Sequence, residues 1–253
     1  GDGRVWFADT VRLTGGLGYY DGRQLRAYRE EPGGLPKRPL HCATAMFKGD
    51  GGRVWFAIDD SLFYYDGFQW RGPVHIDVPG PQPGTTPFVL AGLESRRGSI
   101  WLITQGLILD LTDSGQVVRS ERLPEQLEHS NVIFEDEERA LWLGSPLGII
   151  GRYRPSTSEW ALWDLHKTFD KEPRLSQDRT DYDWAIEQIG SGPNGSLWVA
   201  DLNGLITATK DGKSWEIFAR YNSDLPSGAD SLMTDRDGRR WLGTLKSVLV
   251  LEP

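Results

Sequence analysis

A tryptophan returns six times along this chain in nearly the same surroundings. The copies are "GDGRVWFAD" (Trp6), "GGRVWFAID" (Trp55), "RGSIWLITQ" (Trp101), "ERALWLGSP" (Trp142), "NGSLWVADL" (Trp198) and "GRRWLGTL" (Trp241). Their spacings are 49, 46, 41, 56 and 43 residues, a mean of 47. Self-similarity at such a period restricts the chain to an array of one supersecondary unit, and that length suits four short strands with their turns.

The residues after each Trp are Phe-Ala, Phe-Ala, Leu-Ile, Leu-Gly, Val-Ala and Leu-Gly. An apolar run without alternation, bounded by turn residues, is a strand buried on both faces. The second residue after Trp is small in five of the six copies, which lets a neighbouring sheet come close. Asp-Gly or Asn-Gly ahead of the strand marks a tight turn that needs positive φ. Copies three and four carry "RRG" and "DEER" instead, so their turns are expected to differ. A second turn follows the next strand ("YYDG", "TDSG", "TKDG"), then an aromatic-rich strand such as "SWEIF".

Each unit therefore reads as strands A, B (with Trp), C and D. In unit five these fall at Asp183–Gly190, Ser196–Asp201, Leu205–Lys210 and Ser214–Ala219. Convincing amphipathic helices are absent, although "RLPEQLEH" suits one turn. Six four-stranded antiparallel units, each packed between two others by Trp, predict an all-β fold, a β-propeller spanning 1–253 as a single domain. A solenoid is the structural alternative. The first unit begins at strand B and the last ends at strand C, which predicts 22 strands and two incomplete blades. The termini are then expected near each other, in an imperfectly closed ring or one completed by flanking sequence such as a seventh blade.

"TDRDGRRWLGTLKSVLVLEP" and "FEDEERALWLGS" resemble the two-component regulator propeller repeat, and "TGGLGYYDG" is similar to the second half of its consensus. The resemblance runs repeat by repeat over nearly the whole chain. It implies a sensing or binding module from the periplasmic or extracellular region of a bacterial hybrid histidine kinase or related signalling protein. The implied partners are a small-molecule or carbohydrate ligand and a membrane-linked signalling protein or a homodimer partner. The chain is expected to be a fragment of a longer one.

Composition narrows the other classes. A net charge of −8 argues against nucleic acid as the main partner. No apolar run approaches the roughly 20 residues of a membrane span, so direct membrane insertion is not expected. The lone cysteine, Cys42, forms no internal disulfide and reads as a small buried hydrophobe. No cofactor is implied.

In a propeller the A–B and C–D turns share one face, and the B–C and D–A loops share the other. The long variable loops Arg29–His41, Val78–Pro87, His166–Tyr182 and Tyr221–Asp230 all fall on the second face, where binding usually resides. The Asp-Gly motif thus specifies architecture. All four histidines lie on D–A segments, with His41 and His129 just before strand A and His75 and His166 just after strand D. No short metal-ligand spacing joins them, so no metal site is assigned.

The candidate ligand-binding residues are His41, His129, Arg174, Arg179, Tyr182, Trp184 and Asp230, which would ring the channel mouth on the loop-rich face. Cations among aromatics suit an acidic or sugar-like ligand. The reading is a non-catalytic sensor with no catalytic residues assigned. The alternatives are a protein-interaction scaffold and a propeller enzyme. Lyases that open streptogramin antibiotics carry similar repeats but need a metal-binding His and a nearby acid, for which no copy offers a convincing match. "TKDGKSW" resembles the Asp-box of sialidases, itself a structural turn, without assignable paired carboxylates.

Overall fold

The computed structural model describes residues 3–8, 17–27, 43–58, 60–76, 88–169, 184–219, 223–225, 228–235, 239–244 and 246–251. Cys42 lies outside them, as do His41, Arg174, Arg179 and Tyr182. Among the described residues the chain forms 22 strands in six antiparallel meanders.

Blade one is β1 (Val5–Ala8), β2 (Leu17–Tyr20) and β3 (Leu25–Ala27). Blade two is β4 (Ala45–Lys48), β5 (Val54–Ile58), β6 (Ser61–Tyr65) and β7 (Trp70–His75). Blade three is β8 (Val89–Glu94), β9 (Ile100–Thr104), β10 (Leu107–Leu111) and β11 (Val117–Arg122). Blade four is β12 (Val132–Glu135), β13 (Leu141–Gly144), β14 (Ile149–Arg154) and β15 (Glu159–Asp164). Blade five is β16 (Ile186–Ser191), β17 (Leu197–Asp201), β18 (Gly204–Ala208) and β19 (Trp215–Ala219). Blade six is β20 (Ala229–Thr234), β21 (Arg240–Thr244) and β22 (Val248–Leu251).

The first blade lacks strand A and the last lacks strand D among the described residues, as the repeat predicts. The sheets are the blades of a β-propeller. The chain divides into two compact units of three blades, Gly1–Leu123 and Pro124–Pro253.

Within each unit the A strands of successive blades lie side by side, β4 against β8 in the first and β12, β16 and β20 in the second. Within the units Trp6, Trp55, Trp142 and Trp198 face the next blade, and Val54, Ile100 and Leu197 face the previous one. Trp142 thus shares a core with Leu197 of blade five, and Trp55 with Ile100 of blade three. Trp6, Trp55, Trp101 and Trp142 are buried, whereas Trp198 and Trp241 are half-buried. The small residue two after Trp allows the approach foreseen for it. A side chain at Gly144 would strike Ile186 of the next blade.

As expected, the A–B turns of blades three and four differ from those of blades two and five: Gly51 (63°) with Gly52 and Asn194 (55°) with Gly195 give two successive positive φ angles, where blades three and four have one each. In every blade where it is described, the residue three before Trp has positive φ: Gly3 at 77°, Gly52 at 85°, Gly98 at 83°, Arg139 at 69° and Gly195 at 73°. Arg139 therefore adopts the left-handed conformation that glycine supplies elsewhere.

Among the described residues helix is confined to single turns. A 3-10 turn at Glu125–Leu127 falls in "RLPEQLEH". The short helix α1 (Leu165–Thr168), capped by Asp164 accepting from the Lys167 amide, was not foreseen. No helix among the described residues is long and apolar enough to cross a membrane.

Candidate functional site

The A–B and C–D turns use their polar side chains internally. Asp136 accepts from the Ala140 amide and the Trp142 indole, each at 2.9 Å. Asp235 accepts from the Arg239 amide at 3.0 Å and the Trp241 indole at 2.9 Å. In blade two Gly49 stands where those aspartates stand, and Glu94 of blade three reaches across to take Trp55 Nε1 and Arg53.

Asp21 and Asp66 make identical C–D turns, each accepting two backbone amides and an arginine Nε. The Gln24 and Arg23 amides and Arg26 hold the Asp21 carboxyl down to about 2. Buried Arg152 pairs with Asp136 and Glu138, and Lys210 of blade five joins Glu138 at 2.9 Å. This face is an interlock between blades.

At the opposite end of the second unit Asp164 and Asp201 also accept backbone amides, but the residues at the starts of the A strands are less tied. His129 is exposed, just ahead of β12. Asp230 opens β20, half-buried, and Glu187 occupies the corresponding position in β16. Partial burial, reinforced by the Asp230 charge, pushes the Glu187 carboxyl above its ordinary range. Gln188 reaches from β16 to accept the Leu232 amide at 2.7 Å, fixing the two A strands together.

Trp184 is not where a ligand platform needs it. It is 3% exposed, stacked on Phe169 with centroids 5.6 Å apart and covered by the His166 ring at 5.8 Å. The short helix turns Phe169 inward, so Trp184 belongs to the core between blades four and five.

In the first unit Ser61 Oγ lies 2.8 Å from Asp60 Oδ1 and 2.9 Å from His75 Nδ1. This is not a catalytic relay. A relay needs the imidazole between hydroxyl and carboxylate, and here the hydroxyl stands between the other two. Among the described residues no three His, Cys, Asp or Glu side chains converge as metal ligands.

One feature escaped the sequence reading. A cleft of about 740 Å³ opens in the second unit between blades five and six, lined by Trp198, Leu205, Phe218, Leu225, Arg240 and Leu249 among others. Arg240 immediately precedes Trp241, where the other five copies carry Val5, Val54, Ile100, Leu141 and Leu197. Its guanidinium lies 5.3 Å from the Trp198 ring. That one charged residue in an otherwise aliphatic column was the available signal.

No protein-family model and no curated protein sequence matches the chain. Solved structures do. The extracellular domain of a B. thetaiotaomicron protein described as a hybrid two component system aligns over 96% of this chain with a TM-score of 0.66 at 18% identity. A second such domain from B. thetaiotaomicron aligns over 93% with a TM-score of 0.60, also at 18% identity. Virginiamycin B lyase from Staphylococcus aureus aligns over 95% of this chain and 73% of its own, with a TM-score of 0.64 at 16% identity. The chain spans 31% and 30% of the length of the two B. thetaiotaomicron domains. These likenesses show the fold, and extracellular domains of signalling proteins stand among its bearers.

Proposed function

We propose that this chain is a non-catalytic sensing module of a bacterial signalling protein. It works in the periplasm or outside the cell and binds a small molecule or carbohydrate on the face formed by the B–C and D–A loops. The observation that carries this reading is the contrast between the two ends of the blades. The turn end holds Asp136 and Asp235 in bonds to backbone amides, indoles and arginines, and the loop end ties Asp164 and Asp201 to amides but not the starts of the A strands. The loop end holds His129 exposed and two carboxylates, Glu187 and Asp230, acting on each other. Polar groups of that kind on a rigid scaffold suit a hydroxyl-rich ligand.

His41, Arg174, Arg179 and Tyr182 are the further contributors expected from the loops, and Trp184 supports the site from beneath. Ligand binding shifts the packing of blades or of two copies, which a membrane-linked partner reads. A panel of neutral and acidic saccharides screened by thermal shift, repeated with His129→Ala and Asp230→Asn, tests this. A saccharide that stabilises the parent and fails with both variants supports the reading. One that stabilises all three equally moves the site elsewhere.

A second reading, a lyase, is favoured by the likeness to virginiamycin B lyase. Metal-dependent opening of a streptogramin B substrate by the purified chain would establish it over the first.

A further inference from the structure

We propose that the cleft between blades five and six is a second binding site, independent of the loop face. Its ligand is a small amphipathic anion, a carboxylate or sulfonate on an aromatic or aliphatic body.

The column of residues that precede each Trp changes character at this cleft. In blade five this residue is Leu197, 3% exposed, closing over Trp142. In blade six it is Arg240, whose guanidinium takes that place over Trp198. An aliphatic side chain there packs without cost. An arginine brings a charge between two sheets, and its Nε is buried with no hydrogen-bond partner. That buried donor is an uncompensated cost of placing arginine here, and it is the half-buried side chain's terminal nitrogens that a ligand in the cleft can meet.

The surroundings of Trp198 point the same way. Trp142 and Trp241 each donate their indole N–H to an aspartate six residues earlier. Six before Trp198 stands Gly192, and the Trp198 indole has no hydrogen-bond partner among the described residues. Trp198 and Phe218 are both half-buried, so each keeps ring surface toward the cleft they line. Leu205, Leu225 and Leu249 complete apolar walls. Glu216 and Asp224 are exposed lining residues, which leaves Arg240 as the cation inside.

An apolar pocket of this size with the Trp198 ring and the Arg240 guanidinium in its lining fits a ligand whose body stacks on Trp198 and whose acid group takes Arg240. A neutral sugar would leave the Arg240 charge unanswered.

The test uses the whole chain and two fluorescent probes of similar shape, anilinonaphthalene sulfonate and its uncharged analogue N-phenylnaphthylamine. Both are titrated into the parent, Arg240→Leu and Arg240→Lys, with melting temperatures measured alongside. Leucine occupies the same place in blade five, so Arg240→Leu is expected to fold and melt no lower than the parent. The anionic probe should bind the parent at one per chain. Arg240→Leu should weaken it by about tenfold or more, the loss of a charge-assisted hydrogen bond. Arg240→Lys should fall between, and the neutral probe should change less than about twofold. Anionic-probe affinity unchanged in Arg240→Leu overturns the proposal. So does equal loss of both probes in a variant that melts like the parent, or binding at several probes per chain.

Discussion

Replacing Trp142 by alanine should cost about 4–5 kcal/mol, near the top of the range for a buried aromatic. The side chain is 1% exposed. Its ring stacks on Trp163 at 5.3 Å and 24° and carries the Arg152 guanidinium at 5.2 Å. A well-formed aromatic pair adds about 0.5–1.5 kcal/mol beyond the area it buries. The lost indole bond adds less than the full penalty for an orphaned acceptor, because Asp136 keeps the Ala140 amide and Arg152.

The same change at Trp198 should cost only about 2 kcal/mol. That ring is half-buried and borders the cleft, so removing it enlarges a space already open. Urea unfolding followed by far-UV circular dichroism, with equal m-values as the check that only stability changed, gives both numbers. A cost below about 1 kcal/mol for Trp142→Ala, or equal costs at the two positions, would refute the view that each Trp is the inter-blade contact and that blades five and six meet less tightly.

Two further substitutions test local features. Glu187 holds its proton more tightly folded than unfolded, so its charge opposes folding once pH rises through the raised value. Glu187→Gln should therefore melt higher than the parent at pH 7, by the equivalent of at most about 0.5 kcal/mol because the group is solvent-screened. The difference should vanish below the ordinary carboxyl range near about pH 4; a melting difference that does not depend on pH would contradict this. Arg139→Gly relieves a non-glycine residue at φ 69° and gives up a 3.7 Å contact with Glu135. A net stabilisation of about 0.5 kcal/mol is expected by urea titration, and a destabilisation would mean that the Glu135 contact outweighs the backbone strain.

The strands were legible because their signal is repeated and local. Unit five was placed at Asp183–Gly190, Ser196–Asp201, Leu205–Lys210 and Ser214–Ala219, and β16 to β19 fall within two or three residues of those bounds. The turn register was also written in the chain, but glycine concealed it. Gly98 and Arg139 sit at the same offset from their Trp, and only the backbone shows that both are left-handed.

What stayed hidden depends on contacts between distant residues. Trp184 beside a polar insertion reads as readily as a ligand platform as a core residue, and Phe169, which settles the matter, lies near the other end of that insertion. Glu94 serving the Trp55 of another blade has no local signature at all. Arg240 is the opposite case. Its departure from Val, Val, Ile, Leu and Leu was visible in the aligned copies, yet its meaning waited on the cleft it lines.

The central claim is a division of labour, with the turn end holding the blades together and the loop end binding. Hydrogen–deuterium exchange with and without the saccharide that gives the largest thermal shift tests it most directly. Added protection is expected to concentrate at the loop end, in segments 128–133, 184–189 and 228–232. Protection concentrated instead in residues 136–140, 192–196, 235 and 239–240 would contradict it.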